Sequence, residues 1–238
     1  MVRITRGLPG HAWRAAGLCA FCIAFAAFPA AATAAAASAA NEPRPIEIGA
    51  ARALPPGTVV TVEGSVTVPS GLLSSGGTLD QGFAIQDRTG GIYVSIATNL
   101  GLTLRQRVLV TGQLANSNGF LILVPASTAD VEVHGRGPRV EPLWLRTGSV
   151  GPANQGLLVR VVGVITQPLA PDPPFGTQVV VDDGSGPLRI FVNTSTGIDL
   201  SGLAPGQLLS VTGLSDEFDT PEIDPRFQSD LRQAEGER

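Results

Sequence analysis

The sequence predicts an all-β protein, two tandem five-stranded barrels behind an N-terminal signal segment. Three observations carry that prediction. The stretch FAIQDRTGGIYV, Phe83 to Val94, alternates side-chain character on both sides of Asp87-Arg88-Thr89-Gly90-Gly91. Asp bonds its own downstream backbone and Gly supplies positive φ, so this reads as two strands joined by a tight turn. A variant, QVVVDDGSGPLRIFV, returns at Gln178 to Val192, one landmark of a repeat with a period near a hundred residues. No stretch after the leader carries a long helical period with caps.

Residues 1–40 have the form of a signal peptide. Arg3, Arg6 and Arg14 precede an apolar run from Ala15 to Ala32, followed by small-residue sites such as Ala37-Ser38-Ala39. An uncleaved anchor helix is the alternative, because the run approaches spanning length; after cleavage no membrane span is expected. Both cysteines, Cys19 and Cys22, fall inside this run and read as members of it rather than as a redox or metal pair. Leu18 stands where a lipoprotein signal wants a small residue. The expected location is periplasmic or secreted, with a core that holds without disulfides.

The chain has no lysine, and its basic residues are 16 arginines against 20 acidic residues. Three of the arginines lie in the leader, which leaves 13 against 20, a balance of about −7. Without a basic block, strong non-specific attraction to phosphates is disfavoured.

Residues 41–135 form the first predicted domain. Leu54-Pro55-Pro56-Gly57 opens it, and Val59 to Pro69 follows as a half-buried strand with Gly64 in its middle, the mark of a bend or bulge. The Phe83–Val94 hairpin comes next. Gly101 to Gly112 ends a further strand in Val-Thr-Gly, and a last strand surrounds Ile122. Gly135-Arg136-Gly137-Pro138 is the expected boundary. In the second domain, residues 136–233, Gly163 answers to Gly64, Pro168 to Pro69, and Asp183-Gly184-Ser185-Gly186 to Asp87-Arg88-Thr89-Gly90. Gly202 to Gly213 answers to Gly101 to Gly112, Ile223 to Ile122, and Asp230-Leu231 to Asp130-Val131. The connectors 95–105 and 193–206 have room for at most one short helical turn. Pro168 to Pro174 reads as an extended excursion, and residues 234–238 as a polar tail. A bent first strand and five strands per copy favour a small barrel over a sandwich.

The order G-x-V, F-x-I-Q-D-x-T-G-G-I-x-V, a strand ending V-T-G and a closing apolar strand resembles bacterial OB-fold domains, such as the OB-like modules of secreted nucleases and other exported proteins. The resemblance spans nearly all of the chain after the leader, as two tandem five-stranded OB-like barrels. The second copy departs from the pattern at Asp182-Asp183-Gly184-Ser185-Gly186-Pro187 and around Pro221 to Pro225. The resemblance implies binding through the outer face of the second and third strands of a barrel.

Strand alternation sorts the residues of that face. Ile85, Ile92 and Val94 point inward, and Gln86, Tyr93 and Ser95 outward. In the second copy Leu188, Ile190 and Val192 point inward, and Arg189 and Phe191 outward. The candidate ligand-binding residues are therefore Tyr93, Gln86, Arg88, Arg105, Arg107, Arg189 and Phe191. Tyr93 and Phe191 offer stacking, worth about 1–3 kcal/mol per base, unless they cover a barrel flank or the contact between copies. Trp144 is expected to pack the second barrel or the two barrels together.

Catalysis has little support. His134, the one histidine after the leader, reads as a solvated linker residue, and no thiol, P-loop or nucleophile elbow accompanies it. Asp182 and Asp183, and the cluster Asp216, Glu217, Asp219, Glu222 and Asp224, are oxygen-rich. Such loops hold Ca²⁺, but EF-hand spacing is absent and acidic hairpin tips serve solubility. No catalytic residue, metal site or cofactor is expected. The predicted function is an exported, non-catalytic binding protein contacting single-stranded nucleic acid. The alternative is a cell-envelope scaffold with protein or small-molecule partners.

Overall fold

A computed structural model describes residues 44–75 and 80–233. The predicted signal segment, both cysteines and the polar tail lie outside the described residues. Among the described residues no helix is long and apolar enough to cross a membrane.

A short helix, α1 (Ile48–Arg52), precedes β1 (Val59–Val68), β2 (Phe83–Gln86), β3 (Gly91–Val94), β4 (Gln106–Ser117), β5 (Phe120–Val124) and β6 (Val131–Arg136). β1 pairs antiparallel with β2 and β4, β2 with β3, and β4 with β5, while β3 and β5 run parallel. The circuit 1-2-3-5-4-1 closes a five-stranded barrel, and β6 extends from β4.

The second half contributes β7 (Leu143–Trp144), β8 (Leu158–Ile165), β9 (Ala170–Asp172), β10 (Gly176–Asp182), β11 (Leu188–Asn193), β12 (Leu208–Phe218), β13 (Thr220–Asp224) and β14 (Leu231–Gln233). β8, β10, β11, β13 and β12 close the same circuit, again with one parallel pairing, β11 to β13. The fold is thus all-β, with two OB-like barrels, as the sequence predicts.

Alternation fills each barrel. Phe83, Ile85, Ile92 and Val94 lie in the first core, and Val179, Val181, Leu188, Ile190 and Val192 in the second. Gly64 and Gly163 sit where β1 and β8 are crossed closely by the next strand. A Cβ on Gly64 would meet the Gln86 backbone at 3.1 Å, and one on Gly163 the Asp182 backbone at 3.0 Å. A side chain there would push the strands apart.

The Asp turns do local work. Asp87 Oδ1 accepts from the Thr89 and Gly90 amides at 2.7 and 2.9 Å, and Oδ2 accepts from the Ile48 amide at 2.9 Å, at the start of α1. In the second barrel Asp183 Oδ1 accepts from the Ser185 amide at 2.9 Å and the Thr147 hydroxyl at 2.8 Å. Hydrogen bonds from Ser185 and Thr147 hold the Asp183 carboxyl down to a pKa of about 2. Each carboxylate therefore ties its turn to the segment that enters its barrel.

Several sequence expectations change. The segment after Pro168 is extended as expected, but it is also paired, because β9 runs antiparallel to β10. Trp144 does not pack a core; it is 62% exposed, with the Arg160 guanidinium 5.2 Å from its ring centroid. His134 stands on β6 rather than in a linker and contacts Glu63 at 3.1 Å. The match of Ile122 to Ile223 is one residue out. Val94 pairs with Leu123, and Ile190 with Ile223, so Leu123 and Ile223 are equivalent and Ile122 answers to Glu222. A one-residue slip in a strand exchanges its two faces.

The two barrels pack on each other. Leu214 of β12 joins Val68, Leu73, Ala84, Tyr93, Phe120 and Ile122 in one buried cluster. Gln86 Oε1 accepts from the Leu158 amide at 2.9 Å. Arg226, held by both oxygens of Asp230, donates to the Thr67 carbonyl at 2.7 Å. Gln155 donates to the Gly119 carbonyl at 3.0 Å and accepts from the Leu121 amide at 3.1 Å.

Candidate binding pocket

This packing decides which of the two outer faces stays open. Tyr93 does point out of its barrel, but it is 1% exposed. Its hydroxyl lies 2.8 Å from Asp80 Oδ1 and 2.9 Å from the Leu73 carbonyl oxygen, and its ring faces Phe120 at 6.0 Å. Burial and the Asp80 carboxylate push the Tyr93 phenol well above its ordinary pKa. The expectation of an exposed Tyr93 platform is therefore corrected: this residue covers the barrel flank. Gln86 is spent on the Leu158 amide in the same contact.

The first-barrel arginines also lie away from a common site. Arg88 is exposed and paired with Glu47, and Arg107 is exposed and paired with Glu63 at 2.6 Å. Arg105 adopts φ +66 ahead of β4, with its Nε buried and without a hydrogen-bond partner.

The corresponding face of the second barrel is open. Arg189 and Phe191, on β11, line a cavity of about 160 Å³. The β4–β5 hairpin of the first barrel supplies Phe120 to its wall, and Phe175 and Phe218 add further rings. Its remaining lining is polar: five carboxylates, Asp172, Asp216, Glu217, Glu222 and Asp224, with Ser74, Ser117, Gln178 and Asn193.

Three of those carboxylates converge. Asp216, Glu222 and Asp224 are 8%, 4% and 2% exposed, and each contributes an oxygen within 4.8 Å of the other two. The β12–β13 ladder places Asp216 opposite Glu222, and Glu222 and Asp224 share a face of β13 because side chains repeat every second residue. Asp216 Oδ1 accepts from the Glu217 amide at 2.6 Å, and Asp224 Oδ2 from the Asn193 side-chain amide at 3.1 Å. Asp224 Oδ1 is buried without a hydrogen-bond partner. Glu222 Oε2 lies 2.6 Å from Arg189 Nε, an ion pair by distance, yet neither atom has a well-aligned hydrogen bond.

Burial raises all three carboxyls. Glu222 is pushed up to about 7 by desolvation, with Arg189 pulling it down. Asp216 and Asp224 are driven well above the carboxylate range by burial and then by their acidic neighbours. Three carboxylates crowded into a low-dielectric wall with one guanidinium carry an uncompensated charge of −2 when all are ionised.

The structure thus brings together Arg189 and Phe191 of the sequence-predicted set, and separates them from Tyr93, Gln86, Arg88, Arg105 and Arg107. The acidic cluster was visible in the sequence, but Glu222 and Asp224 were not separable from Glu217 and Asp219 without the β12–β13 register. Asp80, which holds Tyr93, carried no sequence signal because it stands in an irregular segment.

No protein-family model matches the sequence, and no curated protein matches it. Solved structures with a related chain course include a murine DNA-binding protein bound with double-stranded DNA, at 10% identity over 75% of this chain and 98% of that one, with a TM-score of 0.38. The p204 HINb domain is 14% identical over 71% of this chain and 91% of its own, with a TM-score of 0.35. A replication protein A heterotrimer bound to single-stranded DNA is 13% identical over 75% of this chain and 52% of that chain, with a TM-score of 0.32. The fold assignment for this chain rests on its own strand order.

Proposed function

We propose that the protein is an exported, non-catalytic binding protein whose ligand seat is the pocket on the outer face of β10 and β11. The observation that carries this reading is the meeting of Phe120, Phe175, Phe191 and Phe218 with a row of carboxylates in one cavity, on the face that OB barrels use for ligands. The cavity holds a small molecule, or one side group of a larger partner, with an apolar face and no phosphate. Phosphate would meet five carboxylates and one arginine there. His134, bonded to Glu63 and Glu132, is not part of the pocket.

A second reading, single-stranded nucleic acid laid along a barrel, draws on the OB strand order itself. Among the first-barrel arginines that would serve it, Arg88 and Arg107 are already paired with glutamates. Two measurements on the purified protein separate the readings. Saturation-transfer NMR with aromatic and saccharide fragments is expected to give contacts that Phe191→Ser removes. Fluorescence anisotropy with a labelled oligothymidine at low salt is expected to stay flat. Fragment contacts indifferent to Phe191→Ser would sink the pocket reading, and oligonucleotide binding weakened by Arg88→Ala and Arg107→Ala would establish the second.

A further inference from the structure

We propose that Asp216, Glu222 and Asp224 form a Ca²⁺ site at the edge of the inter-barrel pocket. The acidic residues alone would not carry this. A separate observation does: Asp224, 2% exposed and with a carboxylate oxygen within 4.8 Å of the other two, keeps its Oδ1 buried with no hydrogen-bond donor. Glu222 Oε2 has none with usable geometry either. A buried carboxylate oxygen without a donor costs stability unless something positive meets it. Both residues line a cavity with room for an ion and its waters.

Charge fixes the class of ion. Three carboxylates and Arg189 sum to −2, which one divalent cation neutralises. The ligand chemistry fixes the kind. Every donor is a carboxylate oxygen, and no histidine or cysteine is present, which suits a hard cation and not zinc or copper. The number of carboxylates favours calcium, because magnesium keeps several of its waters and takes one or two carboxylates, whereas calcium accepts more protein oxygens in a looser geometry. The three oxygens lie within 4.8 Å of one another. Waters in the pocket complete the six to eight ligands that Ca²⁺ takes.

The site also has a structural consequence. Asp216 stands on β12, and Glu222 and Asp224 on β13. A bound ion pins the β12–β13 hairpin, whose tip touches the first barrel where Gly119 bridges Phe218. The cation site shares the pocket proposed above but does not depend on what that pocket holds, because ion binding and organic-ligand binding are read separately.

The test is calorimetric titration of CaCl₂ into the purified protein after EGTA treatment, with a thermal melt at each end. One saturable site is expected, with a Kd at or below about 10⁻³ M, the range of extracellular calcium modules. At a hundredfold excess over Kd the melting temperature should rise by roughly 5–10 °C. Glu222→Gln and Asp224→Asn, close in shape but uncharged, should each abolish the heat and the shift. Their calcium-free melting temperatures should equal or exceed that of the parent, since each removes a buried like charge; a merely structural carboxylate would give a lower one. Asp216→Asn serves the same purpose if either variant fails to fold. Absence of saturable heat up to about 10 mM CaCl₂, ten times the weakest expected Kd, overturns the proposal. So does binding that survives all three substitutions.

Discussion

Tyr93, Ala115, Ile122 and Val124 of the first barrel hold the ladder positions that Arg189, Asp216, Glu222 and Asp224 hold in the second. Tyr93 pairs with Ile122 as Arg189 pairs with Glu222, and Ala115 faces Ile122 as Asp216 faces Glu222. Two barrels of one topology thus carry opposite chemistry on the same outer face. In the first, Ile122 and a satisfied tyrosine are buried beside Leu214 of the neighbour, with Ala115 partly buried against them and Val124 at the exposed edge. In the second, the face is charged and partly unsatisfied, and it opens on a cavity. Covering one face lets the other keep groups that stability alone would not select, which is the pattern expected where function sets residue choice.

The sharpest way to break that contrast is to exchange the residues. Ile122→Glu places in the first barrel the residue that Glu222 is in the second, but with no arginine opposite and with Leu214 packed beside it. An unpaired buried charge of this kind costs about 3–5 kcal/mol. The melting temperature should fall by roughly 10 °C or more, the largest change expected of any single substitution discussed. The reverse exchange, Arg189→Tyr with Glu222→Ile, replaces a buried ion pair by apolar groups. Measured without calcium it should be neutral or stabilising, by up to about 4 kcal/mol. A reverse exchange as damaging as Ile122→Glu would mean that the two faces are not equivalent in the way the ladders imply.

This contrast was only half legible in the sequence. The cores were legible because alternation reports burial directly: Ile85, Ile92 and Val94, and Leu188, Ile190 and Val192, all point inward as expected. The repeat was legible because Gly64 and Gly163, and Asp87 and Asp183, answer to backbone requirements that recur with the topology. The outer faces were not, because alternation says that Tyr93 leaves its own barrel and is silent on what covers it. Matching Ile122 to Ile223 concealed the rest. One residue of slip set Glu222 against Leu121 and hid its equivalence with a buried position. The identity of the acidic triad needed the β12–β13 register, which sequence spacing does not give.

Acidity gives a second handle on the comparison. Glu222 is the carboxyl with a folded-state pKa near 7 against an ordinary 4.5. Asp216 and Glu217 on β12, Asp224 on β13, Arg189 on β11 and Asp172 on β9 face the same cavity. Between the two pKa values the folded chain holds a proton that the unfolded chain has released. Stability from this group is therefore present below about pH 4.5 and is lost as pH rises through 7, by on the order of 3 kcal/mol. Urea denaturation in EGTA at pH 5 and pH 8, with Glu222→Gln alongside, isolates the effect as the difference between the two proteins. The parent should lose stability relative to the variant on going to pH 8. Saturating Ca²⁺ should reverse that trend, because the ion binds the deprotonated carboxylates. A difference that does not change with pH would remove Glu222 from the list of titrating groups.

The smallest effect tests how the covered face is kept closed. Gly91 and Pro187 occupy equivalent positions, one residue before Ile92 and Leu188, which pair with Ile85 and Val181. A Cβ on Gly91 would lie 2.0 Å from the carbonyl oxygen of Gly156. That atom is backbone and cannot swing aside, so either the second barrel or β3 must shift. Pro187, by contrast, is exposed. Gly91→Ala should cost about 1–3 kcal/mol, the usual range for overpacking. Pro187→Ala should stay within about 0.5 kcal/mol. Chemical denaturation followed by Trp144 fluorescence measures both. If the barrels unfold as one unit, Gly91→Ala shifts a single transition; if the contact is weaker than either core, it separates the curve into two, with the second barrel's transition unmoved. Equal effects at the two positions would place the constraint on Gly91 in its own hairpin rather than in the neighbouring barrel.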